Sequence, residues 1–231
     1  MLTNGAKYSM KNRFKNLSKN TDLRKQVLSA SAVIIVASFL GFAIENAWIA
    51  IKYGCFENRG MIFPFLFGYG VMIVAVYFLF GLPSNPLFFG RPIKNNLNKD
   101  FQYILCIMIT ICVGESLLGN TVELVSGYQW WDFSEVPLHI GEYTSIPTSI
   151  GFALIIYLFM KNAYTPIVEY ANKLDNDNHS RIIIVLMVII ILDYIVSTIF
   201  MVRNGDVLRV WRLEFPRDNQ ILRFIFYFLE H

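Results

Sequence analysis

Five apolar blocks, separated by polar segments, most constrain what this chain can fold into. A helix needs about 20 mostly apolar residues to cross the hydrocarbon core of a bilayer, and these blocks reach or approach that length. They are Val27–Tyr53, Met61–Leu82, Phe101–Val125, Ile146–Met160 and Ile182–Val202. Only 16% of the 231 residues are charged, which is less than a soluble domain of this length usually carries. The sequence therefore predicts an all-α, polytopic transmembrane helical bundle with five spans.

The polar ends of the chain divide it into three parts. Residues 1–26 form a basic N-terminal tail, 27–202 the transmembrane domain, and 203–231 a C-terminal tail in which "ILRFIFYFLE" is too short to cross and reads as an interfacial helix. The N-terminal tail has no nucleic-acid-binding motif behind it. We expect it to touch anionic membrane lipid and not nucleic acid.

The distribution of Lys and Arg predicts the orientation in the cell membrane. Seven basic residues precede the first span, whereas Ser126–Ser145 contains none. The positive-inside rule then places the N-terminus in the cytoplasm. The C-terminal tail disagrees, because with five spans it lies outside and yet holds five arginines, which are Arg203, Arg209, Arg212, Arg217 and Arg223. Either these arginines are paired on the outer surface, or a sixth, re-entrant element returns the tail to the cytoplasm.

Four acidic residues fall inside predicted spans, and they are Glu45, Glu115, Glu123 and Asp193. An acid at the depth of Asp193 costs on the order of 3 kcal/mol on insertion scales, so it is a functional hypothesis by default. Ser31, Ser38, Gly41 and Glu45 lie on one helical stripe, which predicts that this stripe faces other helices. The simplest arrangement has Glu45, with Asn46 beside it, Glu115 and Asp193 meeting in one polar pocket. The alternatives are buried structural acids and protonated carboxyl groups.

The stretch "CFENRGMIFPFLFGYG" follows the first span and predicts an interrupted helix. Asn58, Arg59 and Gly60 precede Pro64 at the start of the second block. Proline and glycine there favour a broken helix, whose free backbone groups can hold ions or substrates. Arg59 either neutralises Glu45 or binds an anionic group.

In order along the chain, these motifs resemble a bacterial family of ABC-transporter permeases, labelled putative and type IV. The resemblance rests on Glu45, "ENRG", a proline followed by "YG", Glu115 and Glu123, and "WWDFS". It implies that the site residues are Glu45, Asn58, Arg59, Gly60, Glu115, Glu123, Trp131 and Asp132. Asn46 is added from the residue analysis alone, and Asp193 from that analysis with weaker support from the resemblance.

These observations favour a permease that binds or moves a small solute through an outward-opening polar site. The chain has no G-x-x-x-x-G-K-[ST] motif, so a separate cytoplasmic ATP-binding subunit is the implied partner, and a homodimer is plausible on size. No catalytic residue, metal site or cofactor is predicted. Two alternatives stay open, an accessory or sensing protein with structural acids and an intramembrane enzyme that acts on a lipid or envelope precursor.

Overall fold

The computed structural model describes residues 4–88, 91–92, 98–174 and 177–215, and this part of the chain is mainly helical. Its helices are α1 (Asn4–Tyr53), α2 (Phe67–Phe80), α3 (Lys99–Ser126), α4 (Ile146–Asn162), α5 (Tyr164–Lys173) and α6 (Asp177–Asn204). The strands are β1 (Cys55–Glu57), β2 (Gly81–Leu82), β3 (Asn85–Phe88), β4 (Arg91–Pro92), β5 (His139–Ile140), β6 (Thr144–Ser145) and β7 (Arg212–Glu214). These strands are short and pair in small antiparallel sheets. Because helices make up most of the described chain, the predicted all-α class is confirmed.

Three described helical segments are long and apolar enough to cross a membrane, namely Leu23–Tyr53, Lys99–Ser126 and Asn178–Asn204. The helices α4 and α5 form a fourth if they count as one span, with a bend of 41° between them. Pro166 has no N–H to donate to the carbonyl of residue 162, which explains a break there. The remaining apolar helix, α2, has 14 residues. The predicted boundary at residue 27 falls inside α1, and the count of five spans stays a prediction.

The second predicted span, Met61–Leu82, is helical only in its second part. Residues 58–66 are not helical, and Pro64, which cannot donate a backbone hydrogen bond, lies among them. The backbone N–H of Leu66 donates to the carbonyl of Ser38 at 3.0 Å. Ser38 lies 15 residues before the end of α1, which is about 22 Å along the helix axis. The segment 54–66 therefore runs back along α1 before α2 begins.

The core lies where α1, α2, α3 and α4 meet. Its fully buried residues include Val33, Val76, Ile107 and Ala153. The long helices α3 and α6 keep large apolar side chains exposed along their outer faces, among them Leu117 on α3 and Val188 on α6. An all-round apolar helix of this kind is typical of a membrane protein.

The bundle has two ends, which we call the Tyr53 end and the Lys161 end. At the Tyr53 end, β1 pairs with β7 and the ring of Trp130 lies near Gly60. At the other end Lys161 pairs with Asp100 at 3.4 Å, and Ser29 donates to Asn172 at 3.0 Å.

The described part of the C-terminal tail lies at the Tyr53 end, next to β1. Two of its arginines are paired there, Arg209 with Asp206 at 3.1 Å and Arg212 with Glu214 at 3.2 Å. The predicted helix in "ILRFIFYFLE", with Arg217 and Arg223, lies outside the described residues.

Candidate functional site

Glu45, Glu57, Arg59 and Tyr69 form a polar cluster near the Tyr53 end, which we call the Glu45 cluster. Arg59 Nε donates to Glu45 Oε2 at 2.7 Å, and Arg59 Nη1 donates to Glu57 Oε1 at 3.1 Å. The Tyr69 hydroxyl donates to the other Glu45 oxygen at 2.6 Å. The carboxylate of Glu45 is therefore held on both oxygens, by a cation from the loop and by a hydroxyl from α2.

The backbone around Arg59 forces its side chain toward α1. Arg59 has φ 52° and Gly60 has φ 78°, two successive left-handed residues that reverse the chain after β1. Arg59 contacts two carboxylates, those of Glu45 and Glu57, which offset the cost of partly burying its charge. Of the two roles predicted for Arg59, the structure shows the ion pair with Glu45.

Asn46 and Asn58 lie beside this cluster, but their side chains are used to hold the backbone. Asn46 Oδ1 accepts from the N–H of Glu57 at 2.8 Å. Asn58 Nδ2 donates to the carbonyls of Met61 and Leu208, both at 2.7 Å, and its Oδ1 accepts from the N–H of Val210 at 3.2 Å. Both side chains are buried. Asn58 thereby fastens the reversing loop to the segment that follows α6.

Asp193 lies near the middle of α6 and holds the non-helical segment in place. Its Oδ1 accepts from the N–H of Ile62 and its Oδ2 from the N–H of Phe63, both at 2.9 Å. Ser197, one turn further along, donates to Oδ1 at 3.3 Å. Backbone groups outside a helix must find partners in an apolar setting, and Asp193 supplies two of them.

Glu115 lies in a second polar group between α3 and the start of α4. Thr144 Oγ1 donates to Glu115 Oε2 at 2.7 Å and lies 3.0 Å from Ser149 Oγ. The Cys112 thiol donates to the same Ser149 oxygen at 3.1 Å.

Glu123 lies two turns further along α3 and accepts a short hydrogen bond from the Tyr143 hydroxyl. Trp131 Nε1 donates to the carbonyl of Tyr143 at 2.9 Å, and the two rings meet edge to face at 5.8 Å. Asp132 is exposed and accepts from the N–H of Ser134 at 2.7 Å. Hydrogen bonds from the backbone and the side chain of Ser134 lower the pKa of Asp132. Asp132 is therefore a turn residue of this loop.

The predicted site residues are thus distributed over several contacts. Glu45, Arg59 and Gly60 come together with Asn46 and Asn58, whereas Glu115 has its own partner in Thr144. Asp193 binds the backbone of the segment from α6, Glu123 lies near the end of α3, and Trp131 and Asp132 belong to the loop after it. The hypothesis that Glu45, Glu115 and Asp193 share one pocket differs from the structure, in which each acid has its own partners. Within the described ranges no group of His, Cys, Asp or Glu could hold a metal.

Two tyrosines of the site, Tyr69 and Tyr143, were not predicted from the sequence. Tyr69 and Tyr143 each donate to one of the predicted glutamates, and each ring packs on a glycine four residues before that glutamate. The spacing Gly-x-x-x-Glu, in "GFAIE" and "GNTVE", was the available signal. It places a gap in the helix surface one turn from the carboxylate.

Comparison with known proteins gives one match. The sequence model of a family described as "Putative ABC-transporter type IV" matches residues 32–198, more than half of the chain. No curated protein and no solved structure matches.

Proposed function

The chain belongs to the family described as "Putative ABC-transporter type IV", and we propose that it is the membrane subunit of a transporter that binds a small solute at the Glu45 cluster. The observation that carries the proposal is the pairing of Glu45 with Arg59 and Tyr69 beside a non-helical segment. Interrupted helices of this kind often line the binding sites of transporters.

The Glu45 cluster has the accessibility that a binding site needs. The side chains of Glu45, Arg59 and Glu57 are 23%, 26% and 31% exposed. They are partly shielded from solvent and yet reachable from the Tyr53 end. Charged groups in such a setting interact more strongly with a ligand than fully exposed groups do.

We infer the orientation from the segments between helices, and the described arginines of the C-terminal tail at the Tyr53 end, Arg209 and Arg212, are paired with acids there. Lys99, Lys161, Lys173 and Arg181 all lie toward the Lys161 end, and the loop from Ser126 to Ser145, at the other end, has no Lys or Arg. In our proposal the Lys161 end is cytoplasmic and the Glu45 cluster opens outward. The segment 54–66 with α2 makes the second of five crossings, and α4 with α5 makes the fourth.

An ATP-binding subunit would supply the energy and would dock at the Lys161 end. The chain itself lacks a phosphate-binding loop. We leave Asn58 and Asp193 out of the solute site, because their side chains are engaged with backbone groups. Those contacts are the feature that favours the second candidate, an accessory membrane protein whose acids are structural.

Affinity purification from native membranes in a mild detergent, followed by mass spectrometry, tests the proposal. The expected result is a stoichiometric ATP-binding subunit that co-purifies with both the wild-type chain and the Glu45→Gln variant. A folded, monodisperse preparation that carries no such subunit would contradict the transporter role and favour the accessory protein.

A further inference from the structure

The contact between a tyrosine and a Gly-x-x-x-Glu turn occurs twice in this fold. On α1 the pair is Gly41 and Glu45, and on α3 it is Gly119 and Glu123. A Cβ atom at Gly41 would lie 2.5–2.9 Å from three atoms of Tyr69, and one at Gly119 would overlap Tyr143 in the same way. In both places the ring lies on the glycine, and the hydroxyl donates to the glutamate one turn further along.

The two copies occupy equivalent places in the chain. Helix α1 packs on α2, which carries the first tyrosine, and α3 packs on α4, whose preceding residues carry the second. Both glutamates lie toward the Tyr53 end of their helix. The same contact between a tyrosine and a glycine therefore positions a carboxylate at two places, both at the Tyr53 end of the bundle.

The two copies differ in whether a cationic side chain binds the glutamate. In the first, the Arg59 guanidinium binds the Glu45 carboxylate at 2.7 Å. In the second, Glu123 is exposed, and among the described residues its hydrogen-bond partner is Tyr143. The loop from Ser126 to Ser145 contains neither Lys nor Arg, so no cation in this loop can take the place that Arg59 takes on Glu45.

The aromatic side chains next to Tyr143, the hydrogen-bond partner of Glu123, are a second feature that suits a cation. Trp131 meets Tyr143 edge to face at 5.8 Å, and Trp130 lies 6.1 Å from Trp131. Aromatic faces attract ammonium and guanidinium groups. The hydrogen bond with Glu123 and the nearby charges of Glu142 and Asp132 raise the pKa of Tyr143 to about 12, so its hydroxyl stays a donor to the carboxylate at neutral pH.

We propose that Glu123, Tyr143 and Trp131 form a binding site for an ammonium or guanidinium group, in the position that Arg59 holds on Glu45. The site adds a solute class, organic cations, to the proposed transporter and rests on that function for what happens to the solute afterwards. Binding itself needs no partner subunit. Glu123 supplies the charge, Tyr143 orients the carboxylate, and the ring of Trp131 lies 5.8 Å from that of Tyr143.

The test titrates the purified full chain in detergent with guanidinium chloride and with tetramethylammonium chloride at millimolar concentrations. Tryptophan fluorescence follows binding, and sodium chloride at equal ionic strength gives the baseline. The wild-type chain should show a saturable change. Glu123→Gln should weaken it about tenfold, because an uncharged amide loses the charge-assisted contact.

Glu135→Gln is the matched control, because it removes the same charge from an exposed position in the loop that follows α3. It should leave binding within about twofold of wild type, since exposed charges at a distance are screened. If Glu123→Gln does not accumulate, Glu123→Asp tests the same point, because it keeps the charge and withdraws the carboxylate by one methylene.

Two results would overturn the inference. One is a wild-type chain without saturable binding of either probe. The other is an equal loss in Glu123→Gln and Glu135→Gln, which would mean a general attraction to an acidic loop. Neither result would bear on the ATP-binding subunit, so a failure here is distinguishable from a failure of the transporter proposal.

Discussion

The carboxylate of Asp193 accepts the backbone N–H of Ile62 at 2.9 Å, across 131 residues of sequence. Its second oxygen accepts the next N–H along the chain, from Phe63. An acid in the middle of an apolar helix that is long enough to cross a membrane is thereby explained by the non-helical backbone that it serves. The cost of burying the charge is offset by hydrogen bonds that this backbone cannot make to itself.

Replacing Asp193 with Asn should loosen the segment 54–66. The amide keeps one acceptor oxygen and turns an NH₂ group toward the other N–H, which leaves a buried donor without a partner. We expect a loss of about 2 kcal/mol of stability and faster hydrogen exchange at Ile62 and Phe63. Ser197→Ala, which removes only the bond of 3.3 Å, is the control and should change exchange little. Unchanged exchange in Asp193→Asn would contradict this role.

Gly41 should tolerate no side chain, because the ring of Tyr69 occupies the space of its missing Cβ. Gly41→Ala should push that ring away from Glu45 and lower the free energy of unfolding by about 1–3 kcal/mol. The matched control is Gly68→Ala, since nothing lies within 4 Å of a Cβ at Gly68. Thermal unfolding of the two variants in the same detergent compares them. Equal melting temperatures would show that the contact is not tight.

Ser38 offers a prediction of opposite sign. Its hydroxyl is fully buried next to Gly70 and has no hydrogen-bond partner among the described residues. Removing an unsatisfied buried hydroxyl should be neutral or stabilising by about 1 kcal/mol. Ser38→Ala should therefore raise the melting temperature or leave it unchanged. A clear decrease would mean that the hydroxyl has a role in the bundle that the present contacts do not include.

Much of the helical architecture could be predicted from the sequence because the positions of the long helices follow from hydropathy alone. The apolar blocks gave the long helices, and the stripe from Ser31 to Glu45 was confirmed as a packed face, with Ser31 and Ser38 buried. An interrupted helix was predicted here from Pro64 and the glycines, but the residue at which α2 begins was not, because an apolar run does not distinguish a helix from a buried extended segment. What decides between them is the set of distant partners, Asp193 and the carbonyl of Ser38, that satisfy the backbone.

The charged residues of the site could be predicted from the sequence, but the tyrosine hydroxyl groups that contact them could not. Glu45 and Arg59 could be paired because they lie close in sequence and carry opposite charges. Tyr69 and Tyr143 look like ordinary interfacial or core residues in sequence, and only the packing of each ring on a glycine brings its hydroxyl to a carboxylate. Hydropathy also could not assign partners to Glu115 and Asp193, since Thr144 and a backbone amide carry no charge.

The central claim is that a solute binds at the Glu45 cluster and that binding is passed to an ATP-binding subunit. The most direct measurement is the ATPase activity of the co-purified assembly across a panel of small solutes, with wild type and Glu45→Gln compared at matched subunit composition. We predict that at least one solute stimulates the wild-type assembly and that Glu45→Gln loses the stimulation by about tenfold or more while the basal activity stays. Equal stimulation in both assemblies would contradict the account.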